Sequence, residues 1–419
     1  MSQAFKLTPT NAPELTSKTN VAEPELWKNY EYLPIFAKMR AEDPVHYCAD
    51  SRYGPYWSVT RYEDIMAVDT NHHVYSSDAH LGGIIIDDGI QNDPENDFKA
   101  VNFIAMDQPR HDEQRKSVNG ITNPNNLQHF GNIIRTRTAD LLDTLPVGEE
   151  FDWVSTVSIE LTTQMLATMF DFPFEDRHKL TRWSDVSTAE PGSGVVDSQQ
   201  QRIEELMEMA AYFSDLQKSR MDKPDNIDLL TMMTHSPAMA NMPPEEFLGN
   251  LSLLIVGGND TTRNSMTGGV FGMNLFPDQW DKMVADPSLI DNAVAEIIRW
   301  QTPLAHMRRT ALEDAILGGK QIRKGDKVIM WYVSGNRDTA IFDDPDKIII
   351  DRKNARRHLS FGFGIHRCMG NRIGELQLRI LWEEVLKRFS RIEVTGDPEL
   401  TNSNFVKGYV SLPVKLHAL

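Results

Sequence analysis

The stretch between Pro243 and Pro277 constrains this chain most. Pro243-Pro244-Glu245-Glu246 suits a helical first turn. Proline loses no hydrogen bond there, and carboxylates meet the positive end of the helix dipole. No stop signal follows until Phe276-Pro277. The spacing predicts one helix of roughly 33 residues, ~50 Å long at 1.5 Å per residue. A helix of that length crosses a whole domain, so the remaining elements must pack around it. Its centre reads Gly257-Gly258-Asn259-Asp260-Thr261-Thr262. Glycine costs a helix up to ~1 kcal/mol per residue, and β-branched threonine is also a poor former. A long helix weakened at its middle implies a local distortion serving a site.

The other elements are short. Val45–Tyr62 reads as strand around a turn at Gly54-Pro55. Residues 127–220 read as mainly helical, with breaks at Pro146-Val147-Gly148 and Pro191-Gly192. Asp291–Trp300 is a further helix, followed by short strands up to Tyr332 and a Pro- and Asp-rich meander over 342–357. A glycine-rich loop with Cys368 leads into a helix over 371–389, and 405–410 reads as a hairpin. A length of 419 residues allows about three domains on a prior of ~150 residues each. Without repeats or a low-complexity linker, one mainly helical domain with small β-sheets over 25–419 is the better expectation. The polar residues 1–24 read as a mobile tail with no signal-peptide core, which points to the cytoplasm. The strongest apolar run, Leu251–Val256, is far short of the ~20 residues a membrane span needs. Residues 81–100 form a loop in which Gly82-Gly83-Ile84-Ile85-Ile86 precedes a cluster of acids. That order suggests a lid with a glycine hinge.

Charge and cysteine content exclude several classes. Lys and Arg number 43 against 60 Asp and Glu, a net charge of −17. Nucleic-acid binding needs the opposite balance. Two cysteines, Cys48 and Cys368, rule out a disulfide scaffold and a multi-cysteine metal site. Cys48 reads as a plain strand residue. Cys368 stands in His358-Leu359-Ser360-Phe361-Gly362-Phe363-Gly364-Ile365-His366-Arg367-Cys368-Met369-Gly370, directly before a helix. Glycines let backbone N–H groups approach the sulfur, and a helix N-terminus favours a thiolate. Such a sulfur could be a nucleophile, a single metal ligand or a buried free thiol.

This loop resembles the haem-binding signature of the cytochrome P450 superfamily, with Cys368 at the axial thiolate position. Glu296-Ile297-Ile298-Arg299 resembles the family's Glu-x-x-Arg motif, and Gly257–Thr262 its oxygen-activation motif. The resemblance implies haem b as cofactor. It places His111, Arg115, Arg309 and His366 at the haem propionates, and His111 and Arg115 share one helix face. It makes Glu296, Arg299 and Arg352 a structural ion group, and Asp260 and Thr261 a proton-delivery pair. Gly257 and Gly258 would make room for dioxygen. Leu253, Val256 and Gly257 would roof the haem, with Leu304 and Ala305 approaching from the side. Arg367 and Met369 replace commoner apolar neighbours of the cysteine, and an outward polar contact is expected of Arg367.

Several stretches are closer to one branch, the soluble bacterial alkane- and fatty-acid-hydroxylating P450s: Leu253–Met266, Glu296–Pro303, Met330–Asp338 and Ser360–Glu384. That branch hydroxylates terminal carbons of medium-chain alkanes, alcohols or fatty acids. It takes electrons from a [2Fe–2S] ferredoxin and an NADH-dependent reductase. The residues themselves say less: an apolar roof without fixed charge fits a small apolar substrate, and no flavin or NAD fingerprint is evident. Between 352 and 388 nine Lys or Arg face three Glu, so a basic surface near Cys368 suits an acidic electron donor. The alternatives are a terpene or steroid hydroxylase of the same fold, and a non-catalytic haem sensor.

Overall fold

The computed structural model of the chain describes residues 12–88, 101–189, 194–224 and 226–419. The first part runs α1 (Tyr32–Glu42), β1 (Val45–Cys48), β2 (Tyr56–Val59), α2 (Tyr62–Asp69) and β3 (Tyr75–Ser76). A helical run follows: α3 (Arg110–Val118), α4 (Pro124–Asp143), α5 (Glu160–Met169), α6 (His178–Thr188), α7 (Gln199–Lys218) and α8 (Leu229–His235). The short strand β4 (Glu150–Asp152) interrupts it after α4. Next come α9 (Pro244–Leu275), α10 (Pro277–Ala285) and α11 (Ile290–Gln301). Strands β5 (Met307–Ala311), β6 (Ala315–Leu317), β7 (Lys320–Ile322) and β8 (Lys327–Met330) lead to the single turn α12 (Tyr332–Gly335). The chain closes with α13 (Asn371–Leu386), β9 (Phe389–Val394), β10 (Glu399–Leu400), β11 (Tyr409–Ser411) and β12 (Pro413–Ala418).

Helix α9 is the axis around which α5, α6, α11 and α13 pack. Small residues allow the close approaches. A Cβ on Gly258 would lie 2.7 Å from Leu166 of α5, and one on Gly269 3.0 Å from Trp382 of α13. One core cluster gathers Trp153, Trp280, Trp300 and Trp382 on the α11 and α13 side. A second gathers Phe130, Phe170, Trp183 and Ile255 on the α4–α6 side. The main sheet has the order β1-β2-β8-β5-β3, and a second sheet the order β4-β12-β9. Among the described residues no helix is long and apolar enough to cross a membrane.

The structure corrects four expectations. Helix α9 is unbroken across its glycine-rich centre, and the irregular helical turn lies instead at Val154–Ile159. Tertiary packing on four sides holds the weak helix formers in place. The expected tail lies outside the described residues only over 1–11. Val21 and Ala22 are fully buried beside Trp27, whose Nε1 donates to the Val21 carbonyl at 3.0 Å, so this part is packed rather than mobile. The hairpin expected over 405–410 does not form, because β11 pairs with β10, further back in the chain. The helix expected to reach 389 ends at Leu386, and Phe389 opens β9.

Candidate functional site

Cys368 stands just before the N-terminus of α13. Its loop is folded tightly: Cys368 N donates to the Phe361 carbonyl at 2.7 Å, and Gly362 and Gly364 have φ of +62° and +67°. A Cβ on Gly364 would lie 2.5 Å from the Asp69 carbonyl oxygen, so only glycine fits. Asp69 anchors the loop. Its Oδ2 accepts from Phe363 N at 2.7 Å and from Tyr332 Oη at 2.9 Å. The Cys368 residue is accessible to solvent, yet its thiol is crowded by protein, as a group at the floor of a recess would be. Burial pushes the thiol above its ordinary range, against the N–H groups of Gly370 and Asn371 and the charges of Arg115 and Arg367. The N–H groups at the helix N-terminus favour the thiolate, as the sequence implies, and burial opposes them. A coordinated metal ion would deprotonate the thiol.

Beside the loop, the His111 and His366 rings meet edge to face with centroids 4.3 Å apart. His111 Nδ1 pairs with Asp112 Oδ1 at 2.7 Å, while His111 Nε2 and both nitrogens of His366 are buried without a partner. Burial, then Arg309, His111 and Arg115, hold His366 down at about 2. Arg115 donates to the Arg367 carbonyl. Arg309 is less available than expected, because its Nη2 is bound to Asp69 Oδ1 at 2.9 Å. His72, which the sequence reading passed over, also bears on His366 and has a buried, unpartnered Nδ1. Its only signal in the sequence was the His72-His73 pair.

On the α9 side, Gly257 is exposed, and a Cβ there would meet no atom within 4 Å. Gly258 faces α5, so only one of the two glycines makes room at the site. Thr261 Oγ1 donates to the Gly257 carbonyl at 2.9 Å. Asp260 is buried and turned toward α6: Oδ1 receives Arg263 Nη2 at 2.9 Å and Ser184 Oγ at 3.3 Å. Asp260 Oδ2 has no partner. Burial pushes this carboxyl up to about 6, against the pull of Arg263. Leu253 and Val256 are half-buried on the same helix. Leu304 is half-buried and bridges Val406. Ala305 is a correction: it is fully buried in the cluster around Trp331, so it lines the core rather than an open face.

Behind the loop, Glu296 and Arg299 are fully buried, with Nε–Oε2 at 2.7 Å and Nη2–Oε1 at 2.8 Å. Arg352 Nε joins at 3.0 Å from both oxygens of Glu296. Arg299 also donates to the carbonyls of Asn336, Pro345 and Lys347, so the group ties α11 to the meander. The basic surface is smaller than the count of nine suggests. Arg352 is buried, Arg356 pairs with Glu375, and Arg379 pairs with Glu383. Lys387 and Arg388 pair with Glu384. Lys353, Arg357, Arg367 and Arg372 remain exposed, with no carboxylate partner among the described residues. Arg367 lies 5.8 Å from the Phe363 ring centroid, a cation–π contact in place of the expected polar one.

These residues fit a haem. One sulfur is presented at a helix N-terminus, orphaned imidazole nitrogens of His111 and His366 stand beside it, the Arg115 and Arg309 guanidiniums lie near with present partners in the Arg367 carbonyl and Asp69, and Gly257 leaves space on α9. Among the described residues no group of three or more His, Cys, Asp or Glu gathers to hold a metal ion. Comparison with known proteins agrees. The family model for cytochrome P450 matches residues 279–417. Linalool 8-monooxygenase of Pseudomonas putida is 34% identical, over 95% of this chain and 99% of its own. A steroid C26-monooxygenase of Mycolicibacterium smegmatis is 32% identical, over 90% of each. The structure of cytochrome P450-153 from Novosphingobium aromaticivorans superposes with a TM-score of 0.89 and 48% identity, covering 95% of this chain and 99% of that one. CYP153D17 from a Sphingomonas species gives 0.88 and 49%, covering 95% and 98%.

Proposed function

Because the chain belongs to the cytochrome P450 family of haem monooxygenases, we propose that it hydroxylates the terminal carbon of medium-chain alkanes, alcohols or fatty acids. Electrons would come from a [2Fe–2S] ferredoxin and its NADH-dependent reductase, and residues 25–419 would act as one haem domain. The observation that carries this reading is the 48–49% identity, over 95% of the chain, to two P450s of the 153 group. The site agrees, since Leu253, Val256 and Gly257 offer an apolar surface without fixed charge.

Bound haem supplies the oxidising power to cleave a strong C–H bond. Cys368 would hold its iron through the sulfur, and His111, Arg115, Arg309 and His366 would hold its acidic groups. Thr261 carries a hydroxyl that bonds the Gly257 carbonyl, beside the space that a Cβ on Gly257 would enter freely and where dioxygen would have room. Asp260, held near neutrality, can take and release a proton at Oδ2. Glu296, Arg299 and Arg352 fix the meander behind the cysteine loop. Lys353, Arg357, Arg367 and Arg372 would meet an acidic donor on that side.

A second reading, a terpene or steroid hydroxylase, is favoured by the two curated relatives named for linalool and a steroid. The test is product analysis with n-octane, dodecanoic acid, linalool and cholesterol, using a ferredoxin, its reductase and NADH. The terminal alcohol or ω-hydroxy acid is expected. Turnover of the cyclic or terpenoid compounds alone would overturn the first reading. A protein that binds haem but consumes no NADH with any of them would be a sensor instead.

A further inference from the structure

Two consecutive arginines of β5 serve opposite faces of the sheet, as neighbours on a strand must. Arg308 is bound to Asp88 and to the Leu81 carbonyl. The lid predicted to hinge at Gly82-Gly83 is therefore tied down over 81–88, and 89–100 lie outside the described residues. Arg309 turns the other way and meets Asp69, the last residue of α2. Both side chains are buried. Arg309 Nη2 donates to Asp69 Oδ1 at 2.9 Å, and its Nη1 to the Arg308 carbonyl at 2.8 Å. Among the described residues Asp69 is the only carboxylate paired with Arg309.

The other oxygen of Asp69 serves the cysteine loop. Oδ2 accepts from Phe363 N at 2.7 Å and from Tyr332 Oη at 2.9 Å. The end of α2 also lies against the glycines on either side of Phe363. A Cβ on Gly362 would fall 3.2 Å from Asp69 Oδ2, and one on Gly364 2.5 Å from the Asp69 carbonyl oxygen. A guanidinium and a backbone N–H can only donate, so both carboxyl oxygens must accept. Burial pushes this carboxyl above its ordinary range, and Arg309, Phe363 N and Tyr332 oppose the push.

We propose, on the haem reading of this site, that Asp69 is a positioning residue coupling its two ends: one carboxylate fixes both Arg309, which would hold an acidic group of the haem, and the loop that carries Cys368, and its buried charge holds the reduction potential of the iron down. A fixed negative charge near the iron disfavours the added electron, and an unbalanced arginine favours it. An amide cannot replace the carboxylate. Whichever way it turns, its NH2 faces either Arg309 or Phe363 N–H, so one end of the site is released. Outer partners of this kind orient the groups that hold a metal centre.

The test uses the haem-loaded protein and three variants, with two readouts. One is the reduction potential from a spectroscopic redox titration. The other is the lifetime of the red-shifted Soret band of the reduced, carbon monoxide-bound form. Asp69→Asn keeps the shape and removes the charge. Its ferric–ferrous equilibrium should move toward ferrous by about tenfold, ~59 mV for one electron. Its Soret band should decay several-fold faster than that of the wild type. Asp69→Glu keeps the charge, and its potential should stay near that of the wild type. Tyr332→Phe takes one donor from Oδ2 and leaves the charge less balanced, so its potential should move the opposite way, by about two- to threefold in the equilibrium. Its band should also decay faster. A merely structural role would speed the decay without moving the potential, and that outcome in Asp69→Asn overturns the proposal. An equal rise in Asp69→Glu also overturns it. If Asp69→Asn takes up no haem, Tyr332→Phe decides: an unchanged or raised potential overturns the proposal, and a lowered one supports it. A wild-type protein that takes up no haem ends the haem reading itself, whereas haem uptake with unmoved potentials ends only this proposal.

Discussion

Arg263 Nη2 lies 2.9 Å from Asp260 Oδ1, three residues away on the same helix, and equally 2.9 Å from Asp185 of α6. One guanidinium shared by two carboxylates does not fully offset the burial of Asp260, whose pKa rises from 3.8 to about 6. A carboxyl raised on folding adds stability that is complete below the unfolded pKa and lost as pH rises through the folded one. Asp260→Asn removes that loss. Relative to wild type it should gain on the order of 2–3 kcal/mol between pH 4 and pH 7. Chemical denaturation at the two pH values measures it, and an unchanged difference contradicts the burial argument.

Thr261 offers its hydroxyl beside Gly257, with the Gly257 carbonyl as its present acceptor. In Thr261→Ala, product formed per NADH should fall by about tenfold or more, with substrate binding little changed. Thr261→Ser keeps the hydroxyl and should recover most of the coupling. Full coupling in the alanine variant would remove Thr261 from proton delivery.

The adjacent glycines separate stability from function. A Cβ on Gly258 lies 2.7 Å from Leu166 Cδ2, so Gly258→Ala should cost about 1–3 kcal/mol through overpacking. Gly257→Ala meets no protein atom and gains helix propensity, so its stability should hold or rise by up to ~1 kcal/mol. Carbon monoxide binding to the reduced enzyme should nevertheless slow in Gly257→Ala and not in Gly258→Ala. Equal binding rates in both variants would mean that Gly257 does not face the haem.

Glu296 is fully buried between Arg299 and Arg352. Glu296→Gln leaves two guanidiniums short of a counter-charge, and unfolding in urea should show a loss of about 3–5 kcal/mol. A loss below ~1 kcal/mol would mean that carbonyls hold the arginines without it.

What the sequence made legible was local. The three-residue spacing of Glu296 and Arg299 places them on one helix face, and the glycines around Cys368 announce a tight loop. What it hid was mostly long-range. Asp69 lies 294 residues from Phe363 and 240 from Arg309, so no local pattern shows that it both anchors the loop and engages a propionate candidate. Asp185 stands 78 residues from Arg263. Ala305 looked like a site residue by position, but a small side chain packs as readily into a core as against a ligand, and Trp331 decided the matter. The helix-weakening centre of α9 stays helical because its neighbours pack on it, a term that propensity does not contain. The loop N–H groups and the helix N-terminus that favour a thiolate at Cys368 are legible in the sequence, while the burial that opposes them appears only in three dimensions.

Cys368 is the proposed protein ligand of a haem iron. The absorption spectrum of the reduced, carbon monoxide-bound protein tests this most directly. Thiolate ligation gives a Soret band shifted far to the red, which should be present in the wild type and absent from Cys368→Ala, with Cys48→Ala unchanged. A protein that takes up no haem, or a red-shifted band that survives Cys368→Ala, would contradict it.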